Sequence, residues 1–218
     1  MMRHGYVKQN FFKGLHIEVE TRPDDEREVF TTEDLKKIFA PQKKYLYNYY
    51  YWLPRIAIFT GMRLNEICQL HTSDIYQKDS IWIFDINKNT EDKRLKTRAS
   101  KRLIPIHSRL IQLGFIDFVK SKEGDRVFDE LGLSIDGYGR YPSRWFGRWK
   151  KKIGVEPPFH SFRHTVINHL KQKGINPFVI HAIDGHTEGD MSMDRYGKPY
   201  NVTILKDAIE QLDFDVPG

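Results

Sequence analysis

The chain has 218 residues, of which 39% are hydrophobic and 29% charged, and this composition is ordinary for a globular protein with one well-buried domain. Its formal net charge of +6 favours a polyanionic partner, with nucleic acid ahead of an anionic membrane. The single cysteine, Cys68, excludes an internal disulfide, and no apolar run approaches the roughly 18 to 20 residues that span a bilayer, so we expect a cytoplasmic protein without membrane contact.

The first 29 residues are predicted to be a linker. A charged stretch with one proline, RPDDERE at 22–28, is most simply a solvated connector. The folded domain is predicted to begin at Phe30, because Thr31 or Thr32 can cap a helix whose first turn is acidic.

The next stretch, KKYLYNYYYWLPRIAIFTG at 43–61, predicts a buried core helix that is interrupted near Pro54 and ends at Gly61. A second helix then begins with MRLNEICQL, so Arg63 lies at a helix start. A cation is unfavourable at this positive end of the helix dipole. A surface arginine could tolerate the position, but a bound anion explains it better, and Glu66 could hold the guanidinium fork.

After residue 74 the spacing of apolar residues changes from the helical period to one that favours strands. SIWIFDI at 80–86 and KRLIPI at 101–106 predict a small antiparallel sheet. The basic segment between them, NKNTEDKRLKTRAS at 87–100, is predicted to be the solvated tip of a hairpin. Beside a duplex, that tip could reach a groove or a scissile phosphate. Ser108 to Val119 predicts one capped amphipathic helix.

Two further helices carry basic or polar side chains beside their apolar faces. In YGRYPSRWFGRWKKKIG at 138–154, the aromatic residues recur at helical spacing and predict core packing, while the basic residues could track phosphates. HSFRHTVINHL at 160–170 places His160 and Arg163 one turn apart, so a helix from Phe159 to Lys173 would point both into one pocket. A fixed cation beside a titratable donor suits a reaction at a phosphate.

The remaining sequence predicts a short helix, PFVIHAID, capped by Asn176-Pro177 and ended by Gly185 just before His186. A polar loop leads to Tyr196, and a last helix covers 202–212. No nucleotide-binding motif of the GxxxxGK[ST] or GxGxxG type is present.

These motifs form an ordered set. TGMRLNEI carries Arg63, KTRASKRLIPI a hairpin lysine, HSFRHT a histidine and an arginine, DGHT carries His186, and MDRYGK carries Tyr196. Each is weak alone, but their order from about residue 30 to 212 resembles the tyrosine recombinase (phage integrase) family. The resemblance implies a mainly α-helical fold with a small antiparallel β-sheet, the catalytic-domain fold of these DNA breaking and rejoining enzymes. It also implies site-specific cleavage and rejoining of DNA through a 3′-phosphotyrosyl intermediate, as in phage or mobile-element integration and excision.

The chemistry independently requires a clamp and a proton acceptor. A phosphodiester under attack gathers negative charge on its non-bridging oxygens, and the guanidiniums of Arg63 and Arg163 suit that charge. A phenol with a pKa near ~10 is a poor nucleophile at pH 7, so Tyr196 needs an acceptor, and His160 is the candidate.

The resemblance supplies two further roles. The family protonates the departing 5′ oxygen from its hairpin lysine, which we assign to Lys96. His186 would donate another hydrogen bond to the phosphate. Because the phosphotyrosyl linkage keeps the bond energy, rejoining would need no ATP, metal or other cofactor. The family also implies a tetramer on double-stranded DNA and accessory DNA-bending proteins, and we expect this chain alone to be monomeric or weakly associating.

The sequence departs from the family's usual pattern in three places. The spacing from His186 to Tyr196 is one residue longer than is most frequent, which makes Tyr200 a rival nucleophile. Asp184 stands where a leucine usually precedes Gly-His. The helical DNA-clamping domain that normally comes first has no counterpart, so residues 1–29 are interpreted as an interdomain linker remnant and 30–218 as the catalytic domain.

Three other interpretations remain open. His160 and His164, with His181 and His186 nearby, could bind zinc, although the metalloprotease pattern requires glutamate where Ser161 stands. The chain could be a DNA-binding module without catalysis. It could also act as a type IB topoisomerase, which shares the chemistry but relaxes supercoils alone.

Overall fold

A buried apolar helix lies at the centre of the fold. The computed structural model describes residues 28–42, 44–97, 100–185 and 199–218. In this part of the chain the elements are, in order, α1 (Thr32–Phe39), α2 (Asn48–Thr60), α3 (Leu64–Cys68), β1 (Ile75–Lys78), β2 (Ile81–Ile86), β3 (Arg102–Pro105), α4 (Ser108–Gln112), α5 (Phe115–Lys120), α6 (Arg140–Lys152), α7 (Ser161–Gln172), α8 (Pro177–Asp184) and α9 (Val202–Ile209). The central helix is α2.

Helix α2 runs through Pro54 without a break, so the predicted interruption is wrong. Proline has no N–H, so the carbonyl of Tyr50, four residues earlier, loses its hydrogen bond within the helix. A proline in a helix interior costs about 3 kcal/mol. The same helix fully buries Leu53, Ile56 and Ile58, and each such side chain contributes about 1.5–3 kcal/mol. Burial therefore outweighs the lost hydrogen bond.

Gly61 ends α2 as predicted, and its backbone geometry requires glycine. Its φ of +65° lies in the left-handed region, and its N–H donates to the carbonyl of Ala57. A Cβ at this position would also lie 3.3 Å from a methyl carbon of Val166 in α7. The turn therefore brings the start of α3 close to α7.

The N-terminal helix α1 is tied to α7. Thr31 caps α1 in a capping box with Asp34, which confirms the predicted start. Just before the cap, the backbone N–H of Phe30 donates to Thr165 Oγ1, and its ring packs 4.5 Å from that of Phe162.

The three strands form one antiparallel sheet in the order β1-β2-β3. The predicted pair corresponds to β2 and β3, whereas β1 was missed because only Ile75 of its four residues is buried and the strand shows no alternation. Asp79 and Ser80 both adopt positive φ angles, as a two-residue type I′ hairpin turn requires.

The single helix predicted for Ser108 to Val119 is wrong, because two helices replace it. Gly114 has a φ of +85° and breaks the run between α4 and α5. The break lets Leu110 and Phe115, on separate helices, both become fully buried. Helix α6 matches its prediction, since Trp145 and Phe146 are buried and its last turn is basic.

Helices α7 and α8 also match their predictions. The N-terminal end of α7, the start of α3, strand β3 and the C-terminal end of α8 meet in one region, which holds the side chains described next. Among the helices that the structure describes, none is both long and apolar enough to cross a membrane.

Candidate active site

Arg63 is held at the start of α3 by a carboxylate one turn later. Its Nη1 donates to Glu66 Oε1 at 2.8 Å, and its backbone N–H donates to Glu66 Oε2 at 3.0 Å. The glutamate thus holds the guanidinium fork, as the sequence predicted, and also caps the helix. Because the fork is fixed, its free N–H groups keep one direction.

The same carboxylate binds a second arginine that the sequence did not single out. Arg102 of β3 donates from Nη2 to Glu66 Oε2 at 2.8 Å and from Nη1 to Glu66 Oε1 at 3.2 Å. Burial opposes ionisation of Glu66, but the guanidinium of Arg102 and then that of Arg63 hold its pKa below the ordinary value. Arg102 also donates from Nε to the carbonyl of Ile183, near the end of α8.

The position of Arg102 in its predicted strand could have marked it as a buried residue with a charged partner. Alternate residues of a strand share a face, and Ile104 and Ile106 are fully buried, so an arginine two residues earlier faces the same side. An arginine on the core face of a predicted strand needs a buried partner. That requirement could have paired Arg102 with an acidic residue of a neighbouring helix.

Arg163 is almost completely buried in α7, with 2% of its surface exposed. Its Nη1 donates to the carbonyl of Gly61 at 3.1 Å, and its Nη2 lies 3.4 Å from Asp184 Oδ2 at the end of α8. Burial lowers the pKa of Arg163 to about 10, while Asp184 opposes the shift and Arg63 adds to it. The guanidinium is therefore still charged at pH 7.

His160 lies exposed at the first position before α7. Its ring packs edge-on against that of His164, with 4.8 Å between centroids. Partial burial, and then the charges of His164, Arg163, Arg63 and Lys96, lower the pKa of His160 to about 4. The imidazole is thus neutral at pH 7 and able to accept a proton.

We expect an NMR titration to place the pKa of His160 near 4. Between the ordinary value of 6.5 and about 4, the unfolded chain binds this proton and the folded chain does not, so this group's contribution to stability falls as the pH falls through that window. Removing a nearby positive charge should raise the pKa, and because burial, His164, Arg163 and Arg63 all lower it more than Lys96 does, Lys96→Met should raise it only slightly. Lys88→Met, which removes an exposed lysine from the same connection, is the control and should leave the pKa unchanged. A pKa near 6.5 in the unmodified chain would contradict the arrangement.

The other predicted site residues are placed only in part. Lys96 is exposed on the connection between β2 and β3, close enough to His160 to affect its pKa. His186 and Tyr196 lie outside the described residues, and Tyr200 is exposed just before α9. No three His, Cys, Asp or Glu side chains within the described ranges are placed to hold a metal ion.

Gly185, the residue before His186, is constrained by the arginine network. Its φ is +69°, and a Cβ there would lie 2.9 Å from Nη1 of Arg102. Both the left-handed backbone and the close approach exclude a larger side chain. The end of α8 is therefore packed directly against the site.

The arrangement carries an excess of positive charge. Three guanidiniums, those of Arg63, Arg102 and Arg163, face two carboxylates, those of Glu66 and Asp184, which leaves one uncompensated charge. The exposed ammonium of Lys96 adds another nearby. Buried charge without compensation is costly, and an anion such as a phosphate would relieve that cost.

The comparison with known proteins agrees with this geometry. The model of the phage integrase family matches residues 28–201, most of the chain. The chain belongs to the phage integrase family. A XerC-like tyrosine recombinase of Caldanaerobacter subterraneus subsp. tengcongensis is 26% identical over an alignment 229 positions long, which covers 88% of this chain and 56% of that protein. The chain spans about half the length of the curated relatives it matches.

Solved phage integrases share the fold. The integrase from mycobacterium phage Brujita superposes with a TM-score of 0.62 at 15% identity, over 97% of this chain and 66% of that one. A lambda integrase(75-356) dimer, solved bound to a COC' core site, gives 0.56 at 18% identity, over 87% and 65%. The predicted fold, mainly α-helical with a small antiparallel sheet, is confirmed.

Proposed function

We propose that this member of the phage integrase family is the catalytic domain of a site-specific DNA recombinase. It would cleave and rejoin double-stranded DNA through a 3′-phosphotyrosyl intermediate, for the integration and excision of phage or mobile DNA. The observation that carries the proposal is the fixed, positively charged network of Arg63, Arg102 and Arg163 beside the neutral ring of His160. A developing dianionic phosphate is the charge that such a network stabilises.

In the proposed cleavage step, the phenol oxygen of Tyr196 forms a bond to phosphorus while its proton passes to His160. The bond from phosphorus to the 5′ oxygen breaks, and Lys96 gives that oxygen a proton. Arg63 and Arg163 bind the non-bridging oxygens. Rejoining runs the same transfers backwards, with the 5′ hydroxyl as nucleophile, so neither a nucleotide nor a metal is consumed.

The position of His160 supports its assignment as acceptor, because its ring lies close enough to Arg63, Arg163 and Lys96 for their charges to lower its pKa. At a pKa of about 4 the imidazole is neutral at pH 7 but a weak base, and the negative charge of a bound phosphate would raise that pKa toward the range that proton transfer needs. Arg63 and Lys96, which lower that pKa, would also stabilise the phenolate as the proton leaves. His186 would add a hydrogen bond to the phosphate.

The lambda integrase that shares this fold was solved on a core site, and this supports double-stranded DNA as the partner. We further propose that residues 30–218 form the catalytic domain and 1–29 a linker. The active assembly on DNA would be a tetramer in the cytoplasm, aided by DNA-bending proteins.

The test uses a pool of nicked duplexes with randomised sequence around the nick. Cleavage near the nick releases a short strand, so rejoining fails and the protein stays covalently attached. We expect the full chain to give an adduct that survives detergent, with DNA recovered from it converging on one sequence. Salt-sensitive binding without an adduct would refute the activity and favour a DNA-binding module. Relaxation of supercoiled plasmids without sequence convergence would favour the topoisomerase alternative.

A further inference from the structure

The lysine that protonates the leaving oxygen is carried by a segment that the fold anchors. We propose that Lys93, Asp92 and Gln69 are positioning residues that hold Lys96 at the scissile phosphate. The inference rests on the proposed function, in which Lys96 gives a proton to the 5′ oxygen as its bond to phosphorus breaks. It replaces the prediction that residues 87–100 are a solvated tip, which is wrong for Lys93.

Lys93 lies inside the protein and not in solvent. Its Nζ donates to both carboxylate oxygens of Asp74, at 2.6 and 2.7 Å, and to Asn87 Oδ1 at 3.1 Å. The side chains of Lys93 and Asp74 are 3% and 5% exposed. Asp74 is itself fixed, because its Oδ2 accepts the backbone N–H of His71 at 2.7 Å. A charge pair buried this completely keeps one geometry, since any opening would strand both charges.

The preceding residue, Asp92, makes a second ionic contact with the body of the protein. Its Oδ2 accepts from Tyr138 OH at 2.9 Å, from His71 Nε2 at 3.0 Å and from Arg126 Nη1 at 3.2 Å. The guanidinium of Arg126 also stacks 3.4 Å from the ring centre of Tyr138. Although burial opposes ionisation, hydrogen bonds from Thr90, His71 and Tyr138 hold the pKa of Asp92 far below its ordinary range.

Arg94, the residue after Lys93, is bound through its backbone. Gln69 Oε1 accepts the N–H of Arg94 at 2.9 Å, and Gln69 Nε2 donates to the carbonyl of Arg94 at 3.1 Å. Gln69 lies at the C-terminal end of α3, the helix that begins after Arg63. The lysine segment and the clamp arginine are thus attached to the same short helix.

These contacts limit how far Lys96 can move. Two residues of extended chain span at most about 7 Å, so the backbone of Lys96 stays within that distance of the fixed Arg94. On its other side, the carbonyl of Ser100 accepts from Arg102 Nη1 at 2.8 Å. The chain is therefore attached at Arg94, before Lys96, and at Ser100, after it, while the side chain of Lys96 is exposed.

Such an anchor matters because proton transfer depends on placement. A misplacement of about 1 Å costs up to ~100-fold in rate. None of the three positioning residues needs to touch DNA for this effect. Loosening the anchor should slow only steps that need the lysine's proton, which separates positioning from a general structural role.

The experiment compares Lys93→Met with Lys88→Met, an exposed lysine on the same connection. Both lose one positive charge. Each is assayed on the duplex recovered from the wild-type adduct and on the same duplex with a bridging sulfur in place of the scissile 5′ oxygen. A thiolate leaves without a proton, so the sulfur substrate does not need Lys96.

We expect Lys93→Met to slow cleavage of the oxygen substrate about tenfold or more relative to Lys88→Met, and to cleave the sulfur substrate at the Lys88→Met rate. Equal slowing on both substrates, or no slowing, would overturn the inference. Because Lys93→Met strands a buried carboxylate, Asp92→Asn is a second variant with the same expected pattern.

If the unmodified chain forms no adduct, the proposed function fails and the anchor is decided by hydrogen exchange. Backbone amides of residues 95–97 should exchange faster in Lys93→Met and in Asp92→Asn than in Lys88→Met. Equal exchange in these variants would overturn the anchor itself.

Discussion

We expect the Tyr196→Phe variant to form no covalent adduct with the nicked duplex while still binding it. Phenylalanine lacks the oxygen that would bond to phosphorus in the proposed mechanism, so the loss should be complete and not graded. Phosphate contacts by basic side chains account for most of the affinity, and the substitution removes none of them, so binding should stay within about threefold. Adduct formation on a denaturing gel and binding by fluorescence anisotropy measure the two effects.

Tyr200→Phe is the matched control, because Tyr200 is the rival nucleophile and is exposed just before α9. We expect it to form the adduct at the rate of the unmodified chain. The opposite result, an undiminished adduct in Tyr196→Phe and none in Tyr200→Phe, would transfer the role to Tyr200.

We expect Arg163→Ala to slow cleavage by about 100-fold or more, because it removes one of the two guanidiniums that we propose bind the phosphate. The substitution also removes the ion pair between Arg163 and Asp184, and breaking a buried pair costs about 3–5 kcal/mol of stability. Slow cleavage could then reflect unfolding. The rate should therefore be measured by single turnover at a temperature where circular dichroism shows the variant to be folded.

The double variant Arg163→Ala/Asp184→Asn separates the two effects. Replacing the carboxylate by an amide removes the buried charge that Arg163 had neutralised, so thermal stability should rise above that of Arg163→Ala. Cleavage should stay slow, because the guanidinium is still missing. Recovery of cleavage to within a few-fold would remove Arg163 from the clamp and assign it a purely structural role. Arg163→Lys should be intermediate, since it keeps the charge but loses the planar fork.

The parts of the site that sequence predicted best are those set by local spacing. Arg63 and Glu66 are one turn apart, so a short helix is enough to pair them, and the structure has that pair. The glycine that ends α2 and the start of α7 follow in the same way from turn and helix chemistry. The ordered motifs then gave the family and the fold.

The predictions that proved wrong concern contacts between residues far apart in the sequence. Helix α2 continues through Pro54 because the burial of its side chains outweighs the lost hydrogen bond. The helix predicted for Ser108 to Val119 is divided at Gly114, and this division places Leu110 and Phe115 in the core from two separate helices. Lys93 reads as a surface lysine, and its partner Asp74 lies 19 residues earlier with no local spacing to mark the pair. Charge partners across such separations are fixed by tertiary packing, which composition and periodicity do not encode.

The shared carboxylate of Glu66 has a consequence for how this site can change over generations. This one carboxylate accepts the backbone N–H of Arg63 at the start of α3 and also binds the guanidiniums of Arg63 and of Arg102, which lies in β3. Loss of Glu66 would leave two guanidiniums without the carboxylate between them, and loss of either arginine would remove one of the contacts that fix that carboxylate. Single replacements at positions 63, 66 and 102 are therefore each expected to be harmful, with effects that do not add. Lineages that alter this trio are therefore expected to exchange its members together, as correlated substitutions in a family alignment.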